Sequence, residues 1–372
     1  MSITIHYTIE PEYADTVWCR ETLSGIAAKA SSLRYDKLAH DEKTLCDIPC
    51  GESLIVIGTS PQWVSHILTA ASNLALKTVA VSCHPLDTTA RSSFVLIDHN
   101  GATRECLEYL RAAGKTRTAI FGINSNINSY ADTIKTRYFS ENDIFHIKSD
   151  GGIDRCFREF CEKLGSYDSV VCSNYISAVY LMTGLKKCGV RVPEDIFVMT
   201  YGDSVLGKLM SPSLTTITLD HEQLGVQAVN LCRFPFFAAE KNISITVYVP
   251  CRIVAADSTA NLPYAAGSHN AVRLDDNECA DFKDAANIFA LDPKILEVQA
   301  FEKLLRLCDS CDFEIISLLL DGNSYARIAE KLYMSDSTVK YRIKRLVTGS
   351  GVESGSEMLR LYTEYIGMRD KK

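Results

Sequence analysis

The sequence lacks the features that would place it among membrane, secreted or catalytic proteins. No apolar stretch is long enough to cross a bilayer, and Met1 is followed by SITIHYTI without a basic segment. We therefore expect no secretory signal and a cytoplasmic location. The chain also has neither a G-x-S-x-G elbow nor a phosphate-cradling glycine-rich loop, so we do not expect an enzyme.

Metal-ligand spacing is missing as well. The eight histidines show no metal pattern, and most of the 14 cysteines lie scattered in apolar stretches. Cys46 and Cys50, like Cys308 and Cys311, lack the second pair or the His-x-x-x-His that a zinc site needs. We expect reduced thiols that pack as small hydrophobes, with no metal or cofactor, and a redox switch as the alternative for the two pairs.

What is present is the composition of an ordinary soluble protein, with 47% hydrophobic and 23% charged residues and length for two or three domains. From Ser2 to about Ser258, strand-like apolar runs alternate with helix-period segments. The runs cover 3–9, 53–59, 77–82, 93–98, 117–123, 168–173, 195–201 and 214–219. This alternation predicts an α/β fold of two doubly wound parallel sheets, each covered by helices on both faces.

Ligands of such folds bind beyond the carboxyl ends of the strands, which in a two-lobed protein places the pocket in the cleft between lobes. The candidate ligand contacts at these ends are Tyr13, Ser60, Asp98, Asn100, Asn174, Tyr175, Tyr201 and Asp203. Each could instead cap a helix or pack in a core, and Asp98 is especially ambiguous because it can cap the next helix. Trp63 could stack on a ligand ring or pack.

Four stretches carry a family resemblance. They are VLIDHNGATRECLEYLRAAGKTRTAIFG (95–122), VCSNYISAVYLMTGLKKCGVRVPEDIFVMTYGD (171–203), PSLTTITLDHEQLGVQAV (212–229) and VPCRIVAADST (249–259). They resemble the effector-binding domain of the lactose-repressor (LacI/GalR) family, a periplasmic-binding-protein-like fold, over about two thirds of the chain. The resemblance implies a sensing domain over 1–258. Lobe one would be about 1–123 and 214–242, and lobe two about 124–212 and 243–258.

The resemblance also implies a sugar site, and there the chain departs from it. Sugar-binding relatives pair buried hydroxyls with an Arg, an Asn-Asp pair and an Asp at a strand end. This chain keeps Asn174, but Tyr175 replaces the Asp and Gly202 falls at the strand end. The Arg position falls at Asp132, Thr133 or Lys135, depending on the gap. These changes favour a ligand that is not a monosaccharide, or no ligand.

The segment from Asp312 to Val347 reads as three short helices separated by two turns, the shape of a helix-turn-helix. Asp312 can cap the first helix and Ser324 the second. In the third, Val339, Ile343 and Leu346 form a narrow apolar stripe, which leaves the opposite side free to meet DNA. The candidate DNA contacts are Ser335, Ser337, Thr338, Lys340, Tyr341, Arg342, Lys344 and Arg345.

Charge supports the DNA-binding interpretation of this helix. Residues 335–346 carry a net charge of +3 in a chain whose total is −7. Cations neutralise phosphates, and residues near the start of a recognition helix reach base edges in the major groove. The alternative is a solvated charged helix of a small bundle.

A second resemblance rests on Glu314, Gly322, Ile328-Ala329, Leu332, Ser335 and Thr338-Val339-Lys340. At these intervals the segment is similar to the LuxR/GerE-type helix-turn-helix, although 348–362 departs from the family's Lys-Leu-Gly-Val turn. It implies a DNA-binding domain over 294–372, preceded by a linker over 259–293. An amphipathic helix over 295–310 either packs on this domain or pairs with its copy in a dimer.

The sequence therefore predicts a transcription regulator with three partners: a double-stranded DNA operator, an unknown small-molecule effector and a second copy of itself. One alternative is a regulator whose sensor is degenerate and serves as a dimerisation or docking scaffold. A soluble solute-binding protein with a helical tail is a third hypothesis.

Overall fold

The computed structural model describes residues 3–14, 16–82, 92–124, 135–234, 244–260, 262 and 292–367. They form two compact units, and each has one parallel sheet. The first unit contains residues up to 103 together with 219–252. The second contains the rest, including the carboxy-terminal helices. None of the described helices is long and apolar enough to cross a membrane.

The first unit has a six-stranded sheet in the order β11-β5-β4-β3-β1-β2, in which all neighbours run parallel. The strands are β1 (Thr4–Ile9), β2 (Asp36–His40), β3 (Ser53–Ile57), β4 (Lys77–Val81), β5 (Ser92–Ile97) and β11 (Thr246–Val249). The helices are α1 (Val17–Leu33), α2 (Pro61–Asn73) and α7 (His221–Cys232), while α3 (His99–Ala112) leads into the second unit.

Two glycines let α1 and α7 approach closely. A Cβ built on Gly25 would lie 1.9 Å from the Glu222 carbonyl oxygen, and one on Gly225 would lie 2.0 Å from that of Thr22. No side chain fits at either position, so the two backbones touch. A separate apolar core forms where α2 packs against β3 and β4, with Leu54, Ile67 and Leu68 fully buried.

The second unit has a six-stranded sheet in the order β12-β10-β9-β8-β6-β7. Its strands are β6 (Thr118–Asn124), β7 (Ile144–Ile147), β8 (Ser169–Cys172), β9 (Phe197–Tyr201), β10 (Thr215–Thr218) and β12 (Arg252–Val254). Its helices are α4 (Gly152–Glu162), α5 (Tyr175–Lys187) and α6 (Val205–Leu209). The predicted fold class of two parallel α/β sheets is confirmed, and all eight predicted strands are present.

The predicted lobe boundaries are wrong. The sequence prediction places β6 and β10 in lobe one, yet they pair with β8 and β9 in the second sheet. It places β11 in lobe two, yet β11 pairs with β5 in the first sheet. The alternation of strands and helices is the same in both halves, so it carries no information about which sheet a strand joins.

Five helices follow in the carboxy-terminal part: α8 (Pro293–Leu307), α9 (Ser310–Leu320), α10 (Tyr325–Lys331), α11 (Asp336–Ser350) and α12 (Gly355–Tyr365). The apolar side of α8, with Ile295, Val298 and Phe301, is buried within its own chain. One buried cluster runs from the second sheet's helices through α8 into α9 to α12. These carboxy-terminal helices therefore share a core with the second unit.

The structure also bears on the predicted linker and on the predicted reduced cysteines. The linker over 259–293 lies outside the described residues except at its ends, where Thr259 is buried and Asp292 caps α8. The twelve cysteines among the described residues are free thiols, and no group of metal-binding side chains occurs in that part of the chain.

Candidate DNA-binding face and ligand edge

The predicted helix-turn-helix is present, and each of its helices begins at a capping residue. Ser324 accepts a hydrogen bond from the Arg327 amide at 3.3 Å, and Ser335 accepts one from the Thr338 amide at 3.1 Å. The cap of α9 is Asp309 rather than the predicted Asp312. Asp309 and Asp312 exchange bonds in a capping box, in which each side chain accepts from the other's backbone N–H.

The outward face of α11 has the predicted composition. Val339, Ile343 and Leu346 are buried beneath it, as the apolar stripe required. The predicted contacts Ser335, Ser337, Thr338, Lys340, Tyr341 and Lys344 are exposed. Tyr341 is 66% exposed, which is high for a large aromatic side chain. Hydroxyls, two ammonium groups and one aromatic ring therefore face away from the bundle.

Lys340 has an acidic neighbour on the same helix. Its ammonium lies 2.6 Å from Asp336, one turn earlier, and this hydrogen bond raises the pKa of the lysine. Both side chains are exposed, so the pair is weak and open to competition from a stronger anion such as a phosphate.

Arg342 and Arg345 point in the other direction, towards the Asp309–Asp312 pair. Arg342 donates at 2.9 Å to Asp309 and at 2.8 Å to Asp312, while Arg345 donates to Asp312 and, at 3.4 Å, to the Leu307 carbonyl. The Asp312 side chain is completely buried, and a buried carboxylate requires such partners. The two guanidinium groups thus hold α11 against α9.

Tyr333 was missed as a candidate. It lies in the turn before α11 with φ of 53° and is 98% exposed. Its only sequence signal is an aromatic residue inside a turn.

At the carboxyl edge of the second sheet, β8 leads to Asn174 and Tyr175. The Asn174 oxygen accepts from the Ser177 amide at 3.0 Å, so it caps α5, and its nitrogen donates to the Ser173 hydroxyl at 3.0 Å. Tyr175 is the first residue of α5, and burial raises the pKa of its phenol to about 12. Glu302 of α8 adds to that rise. Tyr175 therefore lies beside α8.

Tyr201 and Asp203 follow β9 at the same edge. Tyr201 is buried, and the Lys135 ammonium lies 4.4 Å from its ring centre, within cation–π range. Lys135 is only 5% exposed and also donates to the Ser173 carbonyl at 3.0 Å. Sequence reasoning left Lys135 among three alternatives because the gap before it was undetermined. The structure brings this cation together with Ser173 and Tyr201.

Asp203 is engaged within its own unit. One of its carboxylate oxygens accepts from the Thr216 hydroxyl at 3.0 Å, and the other lies 3.1 Å from the Lys208 ammonium. The loop that carries Asp203 turns at Gly202, whose φ of 83° suits glycine.

At the carboxyl edge of the first sheet, the candidates Asp98 and Ser60 make hydrogen bonds within their own unit. Asp98 accepts from the Gly101 amide at 2.8 Å and so caps α3, the alternative left open for it. The Ser60 amide donates to Glu10, a buried carboxylate that also accepts from the Thr59 amide. Tyr13 ends a short 3₁₀ turn, and Asn100 lies in the first turn of α3.

A cavity of about 280 Å³ lies at this edge. Its lining residues are Tyr7, Thr8, Ile9, Pro11, Ala39, His40, Asp41, Glu42, Lys43 and Trp63. Trp63 therefore lines this cavity, whereas Tyr13, Ser60, Asp98 and Asn100 are not among its lining residues.

Comparisons with known proteins find matches for the sheet-forming part and for the carboxy-terminal helical part of the chain. Residues 107–259 match the family model for a periplasmic binding protein-like domain, and residues 309–348 match a winged helix-turn-helix DNA-binding model. Among curated proteins, the HTH-type transcriptional repressor PurR of Histophilus somni strain 129Pt is 38% identical over 63 residues, which is 17% of this chain. PurR of Photobacterium profundum is also 38% identical over 63 residues. Each match spans only 19% of the repressor's length.

Solved structures resemble a larger part of the chain. The transcriptional regulator CelR in complex with cellobiose has a TM-score of 0.51 at 16% identity, covering 68% of this chain and 84% of that one. The regulator CcpA of Lactococcus lactis has a TM-score of 0.51 at 20% identity, covering 70% and 100%. The two-sheet part of this chain therefore has the periplasmic-binding-protein-like fold of these regulators, and its carboxy-terminal part is similar to helix-turn-helix DNA-binding domains.

Proposed function

We propose that the protein is a cytoplasmic transcription regulator that couples a small-molecule signal to operator binding. The observation that carries the proposal is the exposed face of α11, which presents hydroxyls and ammonium groups above a buried apolar stripe. It is joined in one core to a sheet whose fold is that of ligand-responsive regulators. A homodimer would place two copies of α11 on two half-sites.

The exposed residues of α11 divide into two roles. Ser337, Thr338 and Tyr341 lie in its first turns, where side chains reach base edges. Lys340 and Lys344 are the exposed cations of the same face and neutralise phosphates, for which Lys340 leaves its ion pair with Asp336. Arg342 and Arg345 remain with their acidic partners and act through the position of the helix.

The finer assignment to the LuxR/GerE type rests on the residue pattern around Thr338 and on the helix that succeeds α11. A winged domain continues into a β-hairpin, but the described residues 292–367 are helical wherever they form regular structure. Helix α12 occupies the place of a wing. We therefore propose a four-helix rather than a winged module.

For the effector, the second sheet's edge favours a ligand with an acidic or carbonyl oxygen and an apolar body. Lys135 supplies a buried positive charge and Tyr201 an aromatic face, while two of the three sugar anchors are replaced. CelR is solved in complex with cellobiose; of the anchors expected for a sugar, this chain keeps only Asn174.

A degenerate sensor is the second candidate. It is favoured by Asn174 and Asp203, which already bond within the chain, as the cap of α5 and as the partner of Thr216. Thermal unfolding across a metabolite library that includes carboxylates separates the two. A reproducible rise in Tm with one compound class supports a functioning sensor, and no rise with any compound supports the scaffold.

DNA binding is tested by fluorescence anisotropy of a labelled duplex in a salt series. We compare the full chain with Lys340→Ala/Lys344→Ala and with Lys37→Ala/Lys303→Ala, which removes the same charge from exposed residues elsewhere. The α11 variant should bind DNA more weakly. Its plot of log K against log salt concentration should be shallower by about two, since each phosphate contact contributes about 0.9 to that slope. Equal affinities for all three proteins would refute the proposed face.

A further inference from the structure

Glu302 is a buried acid in the otherwise apolar side of α8. It is 3% exposed, and its carboxylate accepts from the amides of Val205 at 2.9 Å and Leu206 at 2.8 Å. These amides are the first of α6 and have no partner within that short helix. Arg306, one turn further along α8, donates to the same carboxylate at 2.9 Å. Helix α8 is therefore bonded directly to the start of α6.

The start of α6 lies at the carboxyl edge of the second sheet, beside the ligand candidates Tyr175, Tyr201 and Asp203; this edge is called the ligand edge. Residues 202–204, which include Asp203, connect α6 to β9, and Tyr201 is the last residue of β9. Arg306 reaches this loop, since its guanidinium lies 3.5 Å from the Asp203 carbonyl oxygen. Tyr175, at the start of α5, is close enough to α8 for the charge of Glu302 to raise its pKa and the charge of Arg306 to lower it. A ligand that shifted this loop would displace the groups that α8 binds.

On its other side, α8 packs against the DNA-binding helices. Arg345 of α11 donates to the Leu307 carbonyl at 3.4 Å, and a Cβ on Gly349 would lie 2.9 Å from the Leu307 side chain. The rings of Phe301 and of Tyr362 in α12 pack edge to face, with their centroids 6.4 Å apart. One helix thus contacts both the ligand edge and the recognition helix.

A second attachment lies away from the ligand edge. Lys187 pairs with Glu364 of α12 at 2.8 Å, and Lys187 is the last residue of α5, the end opposite to Asn174 and Tyr175. This pair joins the same two parts of the unit without touching the loop at 202–204. It provides a control for loss of attachment alone.

We propose that Glu302 is a positioning residue that couples the ligand edge of the second sheet to DNA binding by α11. The inference rests on the proposed function and deepens it. Because coupling is reciprocal, DNA bound at α11 must alter the loop and the start of α6, and the coupling can be measured without knowing the effector.

The test is hydrogen–deuterium exchange of the full chain with and without a DNA duplex selected from bound genomic fragments. In the unmodified protein, DNA should change the exchange rate of the amides at 202–207. In Glu302→Gln this response should disappear and DNA affinity should change by about fivefold or more, the lower end of typical coupling. Lys187→Ala should keep the response.

Arg306→Ala serves as a second variant if Glu302→Gln does not fold, because it leaves the Val205 and Leu206 bonds in place. It should weaken the response at 202–204. DNA binding without any exchange change at 202–207 in the unmodified chain would overturn the coupling and leave the regulator standing. No DNA binding at all would overturn the proposed function and the coupling with it. If Lys187→Ala loses the exchange response equally, Glu302 only attaches the DNA-binding helices to the unit and has no specific coupling role.

Discussion

Replacing Asp312 by Asn should destabilise the carboxy-terminal helices, although the residue lies at no candidate site. The change keeps the size of the side chain and removes its charge. Asp312 is buried and receives charge-assisted hydrogen bonds from Arg342 and Arg345. Asparagine has one acceptor oxygen where the carboxylate has two, and its amide nitrogen cannot accept from a guanidinium, so one charge-assisted bond is lost at a cost of about 1.5–3 kcal/mol in unfolding free energy.

Solvent reduces that cost. The side chains of Arg342 and Arg345 are 25% and 41% exposed, so water can rehydrate part of each freed guanidinium, and Arg342 keeps Asp309. We therefore expect about 2 kcal/mol, which corresponds to a fall in Tm of about 4–8 °C for a unit of this size.

The assay is thermal and urea unfolding of the full chain, followed by circular dichroism at 222 nm. Asp336→Asn is the matched control, because Asp336 is an acid of the neighbouring helix whose ion pair with Lys340 is exposed. A change below about 0.5 kcal/mol for Asp312→Asn, the range of ordinary surface substitutions, would refute the structural role given to Arg342 and Arg345.

Three further predictions concern other parts of the molecule. Gly225→Ala should destabilise the first unit by about 1–3 kcal/mol through overpacking against the Thr22 carbonyl, whereas Gly165→Ala, whose Cβ meets nothing within 4 Å, should be neutral in urea unfolding. A hydrogen bond from Arg342 lowers the pKa of Asp309, so this carboxylate contributes stability above its unfolded pKa of about 3.9 and loses it as pH falls through the lower folded value. Asp309→Asn should therefore flatten the fall of Tm with pH below about pH 4, and an unchanged pH dependence of Tm would contradict the pairing. Lys135→Met should lose the rise in Tm expected from the proposed carboxylate-bearing effector, and an undiminished rise would exclude Lys135 from the site.

The two-sheet architecture was predictable because buried parallel strands are continuous apolar runs. The strand at Asp36–His40 was missed because DKLAH is polar and mostly exposed. It forms a strand only by pairing with β1, from Thr4 opposite Asp36 onward. Its partner lies some thirty residues away, and nothing in the local pattern indicates it.

The outward face of α11 was predictable from helical period, but the roles of its cations were not. Period places Arg342 and Arg345 on the flanks, where they could turn either way. Their direction is decided by Asp309 and Asp312, which lie at the start of another helix. Only the three-dimensional arrangement brings these four charges together.

Glu302 left a signal that could have been used. It stands within the apolar stripe formed by Val298, Phe301 and Leu305, where a charged residue is costly unless it is paired. The identity of its partners, two backbone amides almost a hundred residues earlier, could not be obtained from the sequence. Lys135 was hidden for a different reason, since an undetermined gap separated it from the family pattern.

Operator recognition by α11 can be decided by incubating the full chain with fragmented genomic DNA from the source organism and sequencing the bound fragments, in parallel with Lys340→Ala/Lys344→Ala. A dimer predicts enrichment of a two-fold symmetric motif whose half-sites lie about one helical turn apart, and the variant should lose this enrichment. No enriched motif, or one that the variant retains in full, would contradict operator recognition by this helix.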